Sequence, residues 1–365
     1  PKVFFTDMRC GIDESLLDKT RRLVKAAGID GIGMDKKFVA IKMHFGELGN
    51  LSFLRPNFPR TIAGIVRENG GIPYLTDCNT LYPGSRKNAV EHLECAEING
   101  FNSVSAGCRI IIGDGLRGTD DAEIPVDGEY VKSAKIGRAI ADCDVLITLT
   151  HFKCHEITGF GGAIKNLAMG CASRRGKMEM HSAGKPSLNP DKCVGCGRCV
   201  KSCGQNAIRI ANKKAEINGE LCAGCGRCIG MCNTDAIYAE YDQDGSVVNK
   251  KMVEYAAAVI KDRPNFHVSF VMDVSPFCDC HSGNDVPIVP DVGILASFDP
   301  IALDRACADL VMRQPVNPGG CLAGKDASSA DIFTLNQPGT NWRSHFEHAE
   351  KMGLGNGDYE LVEVR

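Results

Sequence analysis

The sequence predicts an α/β fold with a mainly parallel sheet and flanking helices, interrupted by a smaller cysteine-rich α+β module. Two observations lead to this prediction. Apolar runs of strand length alternate with helical patterns on both sides of the cysteines, and eight of the cysteines repeat at one fixed spacing. Alternating strands and helices form mainly parallel sheets. We therefore predict one α/β domain in two parts, residues 1–184 and 242–365, with an insert at 185–241.

The predicted elements follow this alternation along the chain. Before the insert, we expect strands at 38–43, 72–76, 109–112 and 144–150, and helices at 56–68, 86–97 and 131–141. After the insert, we expect helices at 251–260 and 302–312, and strands at 266–272 and 292–295. The strand segments are rich in Val, Ile and Phe, which pack well on a buried sheet. Asp299 and Asp304 are expected to cap the last helix, with a catalytic role as the alternative.

Composition indicates a folded protein that uses its cysteines for metal. Of 365 residues, 44% are hydrophobic and 24% charged, which is ordinary for globular proteins. A net charge of −3 provides no cationic surface for a polyanion, so no nucleic-acid partner is expected. Charged residues precede any apolar run at the start, and no stretch is long enough for a bilayer, so we expect no membrane contact and a cytoplasmic location. Nineteen cysteines without a secretion signal favour reduced thiols and metal ligation.

The insert contains the motif C-x2-C-x2-C-x3-C twice, beginning at Cys193 and at Cys222. In such a run, the first three thiolates bind three corners of an iron–sulfur cube and the fourth cysteine binds the other cube. The expected ligand sets are therefore crossed: Cys193, Cys196, Cys199 and Cys232 on one cluster, and Cys222, Cys225, Cys228 and Cys203 on the other. The alternative is zinc bound by Cys193, Cys196, Cys222 and Cys225, which leaves four regularly placed cysteines unexplained.

This segment resembles the bacterial two-cluster ferredoxins over residues 185–241, and the match extends to the pairs Ala207-Ile208 and Ala236-Ile237. In one departure, Gly204 and Asn233 stand where those ferredoxins have a proline. The resemblance implies a ferredoxin-like module with two [4Fe–4S] clusters. It also implies single-electron transfer with a redox partner such as another ferredoxin or a flavoprotein.

Polar side chains follow the predicted strands of the large domain. In open α/β sheets, ligands bind beyond the carboxyl ends of the strands, where the loops converge. The residues in these positions are His44 and Glu47, Asp77 and Asn79, His151, Lys153 and His155, the segment 273–281, and Asp299. Several such residues at one edge predict a cleft, and we expect it to bind a small anionic substrate.

A glycine-rich segment follows His155. Gly159, Gly161 and Gly162 are expected to open a helix whose free N–H groups bind an anionic group of a cofactor, with Lys153 and Lys165 adding positive charge. The alternative is a tight glycine turn with solvated lysines.

The residues of this segment also resemble a known family. The run from Lys153 and His155 through Gly159-Phe-Gly-Gly-Ala-Ile-Lys-Asn-Leu167, with His181 beyond it, resembles domain-of-unknown-function family 362, the uncharacterised Fe–S-centre proteins. Segments 41–47, 77–82 and 297–304 support the resemblance, which covers nearly the whole chain. A fainter resemblance is to lactate racemase, because His155, Lys165 and His181 fall at similar intervals to its nickel-cofactor site. That resemblance implies a lysine that anchors a cofactor, a histidine that ligates metal and a histidine that moves a proton.

A second group of soft ligands lies at Cys278, Cys280 and His281. These residues are expected to bind an additional zinc, iron or nickel ion, with His44, His155 or His181 completing the set if the loops meet. The alternative is a loop with two reduced thiols that pack as small hydrophobes.

Three functions are compatible with these residues. The first is an oxidoreductase in which clusters deliver electrons to the cleft, with His155 and His181 as acid–base or metal groups, Lys165 as an anchor, and Lys42 and His44 as substrate contacts. The second is an electron carrier that docks a partner and has no substrate of its own. The third is a metal-cofactor isomerase resembling lactate racemase. The sequence does not distinguish oligomeric states.

Overall fold

An eight-stranded sheet forms the centre of the protein in the computed structural model, which describes residues 1–181, 185–240, 243–326 and 331–365. The strands are β1 (Lys2–Asp7), β2 (Phe38–Lys42), β3 (Ile72–Asp77), β4 (Arg109–Ile112), β5 (Asp121–Pro125), β6 (Ser133–Gly137), β7 (Val145–His151), β8 (Lys153–His155), β9 (Gly159–Gly161), β10 (Pro186–Leu188), β11 (Ile208–Ala211), β12 (Lys214–Ile217), β13 (Ile237–Ala239), β14 (Asn265–Val271), β15 (Gly293–Ser297) and β16 (Glu360–Glu363).

Helices connect the strands of this sheet and cover its faces. They are α1 (Leu16–Ala26), α2 (Asn57–Glu68), α3 (Ala89–Ile98), α4 (Arg138–Ala141), α5 (Ala163–Cys171), α6 (Arg174–His181), α7 (Arg198–Ser202), α8 (Arg227–Gly230), α9 (Gly245–Ile260), α10 (Pro300–Met312), α11 (Ile332–Asn336) and α12 (Ser344–Lys351). A single 3₁₀ turn at Ile29–Gly31 follows α1.

The central sheet has the strand order β16-β1-β15-β14-β7-β2-β3-β4. Its pairings are parallel except for the two made by β15, which runs antiparallel to β1 and β14. The prediction of a mainly parallel sheet with flanking helices is therefore confirmed. Alternate residues of the buried strands face two separate cores, since Ala40 and Leu146 belong to one apolar cluster and Ile41 and Ile147 to the other.

One predicted helix is wrong. Within residues 131–141, Ser133–Gly137 form strand β6, paired antiparallel with β5, and only the single turn α4 (Arg138–Ala141) is helical. Val131, Ala134 and Ile136 are fully buried. The spacing from Ala134 to Ile136 has the two-residue period of a strand, and Gly137 stands between the strand and α4. The other predicted strands and helices are present, with their ends shifted by a few residues.

Residues 185–240 form two small antiparallel pairs, β10 with β13 and β11 with β12, together with the short helices α7 and α8. They share an apolar cluster of their own, which also includes Leu81 and Met178 from the larger part of the chain. The predicted division into domains remains a prediction, and its boundaries at 184 and 241 fall outside the described residues. No helix within the described ranges is long and apolar enough to cross a membrane.

Candidate functional site

A cavity of about 730 Å³ lies at the carboxyl ends of β2, β3 and β7. The loops that follow parallel strands meet at one edge, and this edge is where the sequence places the cleft. The predicted site residues on the cavity wall are His44, Lys153, His155, Gly161, Gly162, Lys165, His181, Cys278, Cys280 and His281. The structure therefore brings together residues from five separate parts of the sequence.

Buried ion pairs form one side of this cavity. Lys42 Nζ lies 3.0 Å from Asp77 and donates to Asn166 Oδ1 at 2.7 Å. Arg86 lies 3.2 Å from Glu47 and 3.7 Å from Asp77. Burial alone would raise the pKa of Asp77, but Lys42, His92, His44 and Arg86 outweigh it and hold that pKa well below its usual range. Asp77 is therefore a permanent anion that balances two cations.

His44 lies beside this network and is half-buried. Its Nδ1 accepts the N–H of Gly46 at 3.0 Å, which places the ring proton on Nε2. Burial, aided by Arg86, lowers the pKa of His44 well below its usual value, so the ring is neutral at pH 7.

A second buried group surrounds Asp279. His151 Nδ1 lies 2.9 Å from both carboxylate oxygens of Asp279, and its Nε2 lies 2.9 Å from the carbonyl oxygen of Met272. Lys153 Nζ lies 3.2 Å from Asp279 and donates to the carbonyl oxygen of His151 at 2.9 Å. Lys153 thus lines the cavity, but its ammonium is held by the protein's own acceptors.

The glycine segment differs from its prediction. Lys153–His155 and Gly159–Gly161 pair as a β-hairpin, and α5 begins only after Gly162. The first N–H groups of α5 are not free for a cofactor, because Asp304 accepts from Ala163 N–H at 2.6 Å and Ile164 N–H at 2.9 Å.

This capping changes the roles expected for several residues. A Cβ at Gly162 would lie 2.2 Å from Asp304, and one at Gly159 would lie 2.6 Å from Trp342, so these two glycines allow close packing within the chain.

Burial raises the pKa of Asp304 to about 7. Asp299 caps α10 through Ile301 N–H at 2.8 Å, as expected, whereas Asp304 caps α5 instead of its own helix.

The soft-ligand group is assembled differently from the predicted set. Cys278 and Cys280 lie with His155, and their three ligand atoms are within 4.8 Å of one another. His281 instead pairs with Glu156, its Nε2 lying 2.8 Å from Oε1, and these two share Cys280 in a second compact group. Lys165 Nζ lies 3.3 Å from Cys278 Sγ. Of the three candidate histidines, His155 is the one that joins both cysteines.

His181 ends α6 and lines the same cavity. Burial, together with the neighbouring His155 and Lys165, lowers the pKa of His181 to about 3. His155, Lys165 and His181 are therefore close enough to influence one another, as their sequence intervals suggested.

The motif cysteines lie in residues 185–240. Cys193, Cys196, Cys199 and Cys232 line one small cavity there. Ala207 N–H points at Cys203 Sγ at 3.3 Å, and Ala236 N–H points at Cys232 Sγ at 3.2 Å. Since each alanine lies four residues after the fourth cysteine of its motif, the two copies have the same local geometry. Burial raises the pKa of the Cys228 thiol to about 12, with further contributions from Cys225 and Cys222 beside it.

The cysteine-rich segment packs against the wall of the large cavity. Asp235, three residues after Cys232, lines that cavity and pairs with Lys87 at 3.2 Å. The buried Arg174 donates to the carbonyl oxygens of Thr80 and Lys87 and packs against Gly226. These contacts join the cysteine-rich segment to the loop after β3.

Some residues of the site could not be found from sequence. Arg86 holds the cavity wall yet belongs to no recognisable motif, and Glu156 and Asn166 hold it from inside the run 153–167, where neither was singled out. Asp279 lies inside the segment 273–281 that was singled out, although its partners are distant in the chain. A buried charge requires a partner, and that requirement is the one sequence signal that could have indicated these pairs.

The fold and this cavity define an α/β protein with a polar, cysteine-containing site at the carboxyl edge of its sheet. The chain belongs to the family described as Domain of unknown function (DUF362), whose model matches residues 39–309. No curated protein matches the chain.

Two solved structures are similar to parts of this chain. The lactate racemase apoprotein from Thermoanaerobacterium thermosaccharolyticum is 12% identical with a TM-score of 0.35, and the match covers 70% of this chain and 49% of that one. A structural-genomics protein from Thermotoga maritima is 11% identical with a TM-score of 0.40, covering 81% of this chain and 58% of that one. The chain thus spans about half the length of the racemase.

Proposed function

We propose that this protein is an iron–sulfur oxidoreductase that carries two [4Fe–4S] clusters in residues 185–240 and serves a reaction in the large cavity. One observation supports this most directly. The three leading cysteines of the first motif share a cavity with the last cysteine of the second motif, Cys232. Two-cluster ferredoxins have this crossed arrangement, in which the fourth cysteine of one motif joins the first three of the other. Cysteines with a purely structural role would not require it.

The sulfur spacing favours a cluster over a single ion. Tetrahedral zinc with Zn–S bonds of about 2.3 Å holds its sulfurs about 3.8 Å apart. None of the eight motif cysteines, all within the described segment 185–240, belongs to a group of three ligand atoms within 4.8 Å of one another. The motif sulfurs are therefore not gathered as closely as a mononuclear zinc site requires, which is compatible with an iron–sulfur cube between them.

Hydrogen bonds to sulfur also fit this function. N–H groups from Ala207, Ala215 and Ala236 approach Cys203, Cys193 and Cys232 at 3.2–3.3 Å. Such bonds stabilise negative charge on the thiolates and are one of the means by which a protein sets a cluster's potential. The buried cation Arg174 interacts with Cys228 and Cys225 and would favour the more negative, reduced state of the cluster they bind.

The contact between the two sites supports the assignment as an oxidoreductase rather than a carrier. When bound, [4Fe–4S] clusters supply single electrons. Leu81 belongs both to the cavity wall and to the apolar cluster around the motif cysteines, and Asp235 of the cavity wall donates its N–H to the carbonyl oxygen of Cys232 at 3.4 Å. In the cavity, Lys42 and Lys165 would orient an anionic substrate, His155 and His181 would hold or move a proton, and His44 would contact the substrate. An external redox partner would supply the electrons.

The crossed ligand sets can be tested with paired variants. We expect Cys196→Ser combined with Cys232→Ser to damage one cluster and leave about four irons in the other, because both cysteines belong to one set. The matched combination of Cys196→Ser with Cys203→Ser should damage both clusters. Iron content and electron paramagnetic resonance of the reduced, anaerobically purified protein measure this difference. Equal damage in the two double variants would contradict the assignment.

A metal-cofactor isomerase is the second candidate. It is favoured by one observation, that His155, Lys165 and His181 line the same cavity. It predicts nickel or a bound nucleotide-derived cofactor in the purified protein, together with activity that persists when the iron–sulfur clusters are held in one redox state. A carrier without a substrate would instead transfer electrons between proteins with the cavity blocked.

A further inference from the structure

The segment that carries Cys278 and Cys280 is a tight turn at the cavity wall. His281 N–H donates to the carbonyl oxygen of Cys278 at 3.1 Å, which closes the turn. The middle residue, Asp279, is anchored by His151 at 2.9 Å and by Lys153 at 3.2 Å. Because both the turn and its centre are fixed, both sulfurs remain on the wall of the cavity, within 4.8 Å of each other.

Two groups that stabilise a thiolate converge on Cys278. Lys165 Nζ lies 3.3 Å from its sulfur. His155 Nδ1 accepts the N–H groups of Ile157 at 3.1 Å and Thr158 at 3.3 Å, so the ring proton of His155 is on Nε2. His155 also forms a side-chain hydrogen bond with Cys278, and Nε2–H is the donor available for it.

This orientation of His155 is unfavourable for a metal ligand. A histidine that binds metal through one nitrogen nearly always donates a proton from the other. Here Nδ1 faces two N–H donors and therefore carries no proton. Binding a metal ion through Nε2 would remove the proton from that nitrogen as well, and the ring would become an anion. An ammonium at 3.3 Å from one ligand sulfur would also repel a cation placed there. The three groups are therefore better suited to a reactive thiolate than to the zinc, iron or nickel ion expected from sequence.

The pKa values of the two thiols are shifted in opposite directions. The hydrogen bond from Cys280, together with Lys165 and His155, outweighs burial and holds the pKa of Cys278 well below its usual value. The same hydrogen bond and burial raise the pKa of Cys280. A pair of one thiolate and one thiol that share a proton is typical of a redox-active dithiol.

We propose that Cys278 and Cys280 are a redox-active dithiol, in which Cys278 attacks a disulfide bound in the cavity and Cys280 resolves the resulting mixed disulfide. The cavity of about 730 Å³ is large enough for a small-molecule disulfide.

The atoms and electrons of this reaction balance. The thiolate of Cys278 forms a bond to one substrate sulfur, and the other substrate sulfur leaves as a thiolate that takes one proton from solvent. Cys280 then bonds to Cys278 Sγ and releases the first sulfur as a second thiolate, which takes the proton that Cys280 loses. The substrate disulfide gains two electrons and becomes two thiols, while the protein dithiol loses two electrons and becomes a disulfide. Reduction of the protein disulfide back to the dithiol by the iron–sulfur clusters rests on the proposed function. The reaction of the dithiol with a substrate disulfide does not rest on it.

A thiol–disulfide equilibrium measured by mass spectrometry tests the pair. Trypsin should release residues 262–305, which contain these two cysteines and no others. In an anaerobic glutathione redox buffer, we expect this peptide to interconvert reversibly between a dithiol and a form lighter by two hydrogens. Lys165→Met should shift the equilibrium constant about tenfold toward the disulfide, because the thiolate loses its cation. Lys177→Met is the matched control and should leave it unchanged, since Lys177 lines the cavity but donates to Ala172.

Two results would overturn the dithiol. The peptide could remain reduced in the most oxidising buffer, or metal beyond the cluster iron could be bound to the protein and protect both thiols. Reductive titration separates this proposal from the proposed function. Starting from the oxidised pair, the full chain should consume about two electrons more than its Cys280→Ser variant. If the peptide cycles but the protein lacks iron and sulfide, the proposed function fails and the dithiol stands.

Discussion

At the scale of single residues, the site is dominated by charges that burial would make unfavourable in isolation. Lys42, Arg86 and Asp77 are almost completely buried, and each is paired. Sequence predicted the positions of His44, Asp77 and His155, because polar residues after parallel strands reach one edge. It could not predict that Arg86 belongs to the site. The partners of Arg86, Glu47 and Asp77, lie earlier in the chain, and the paths of the loops that bring the three residues together depend on the finished fold.

Replacing Asp77 tests this account of the buried charges. We expect Asp77→Asn to lower the free energy of unfolding at pH 7 by about 3 kcal/mol, because it leaves two buried cations without their anion. The pKa of Asp77 is held below its unfolded value, so its contribution is fully present above about pH 4 and is lost as the pH falls further. The difference between wild type and variant should therefore shrink in acid. Chemical denaturation at several pH values measures it.

A surface carboxylate provides the control for that measurement. Asp142 is 64% exposed and lies 3.9 Å from Arg138, so Asp142→Asn should change stability by less than about 1 kcal/mol at any pH. An Asp77→Asn variant as stable as Asp142→Asn would show that the buried network does not stabilise the fold.

At the scale of elements, the pattern of apolar residues predicted most strands and helices, and failed where tertiary contacts decided the outcome. The segment 131–141 reads as a helix by composition but pairs with β5. The glycine segment also forms a hairpin, in which Gly159 passes close to Trp342. The cap of α5 was unpredictable from local sequence, since Asp304 lies on α10, far along the chain.

Removing that cap tests how α5 is held in place. We expect Asp304→Ala to destabilise the protein by about 2 kcal/mol, because two buried N–H groups lose their acceptor. Asp304→Asn keeps one oxygen acceptor and should lose less. Thermal and denaturant unfolding of the two variants measure the difference. Equal stability of wild type and Asp304→Ala would contradict the cap and restore the N-terminus of α5 as a site for an anionic ligand.

At the scale of the whole molecule, two sites that sequence identified separately are in contact. The crossed ligand sets stay a prediction, which the spacing of the repeated cysteine motif indicates because three ligands of each set lie in one short run of residues. The contact between this segment and the cavity was not predictable, since it depends on Asp235, Lys87 and Arg174 meeting across the loop after β3. That contact is what makes electron delivery into the cavity physically reasonable.

The iron and acid-labile sulfide content of the anaerobically purified full chain tests the central claim most directly. Two crossed sets of four thiolates predict about eight iron atoms and about eight sulfides per chain, with a brown colour that bleaches on reduction. A colourless protein without sulfide, carrying zinc on the motif cysteines, would contradict the account.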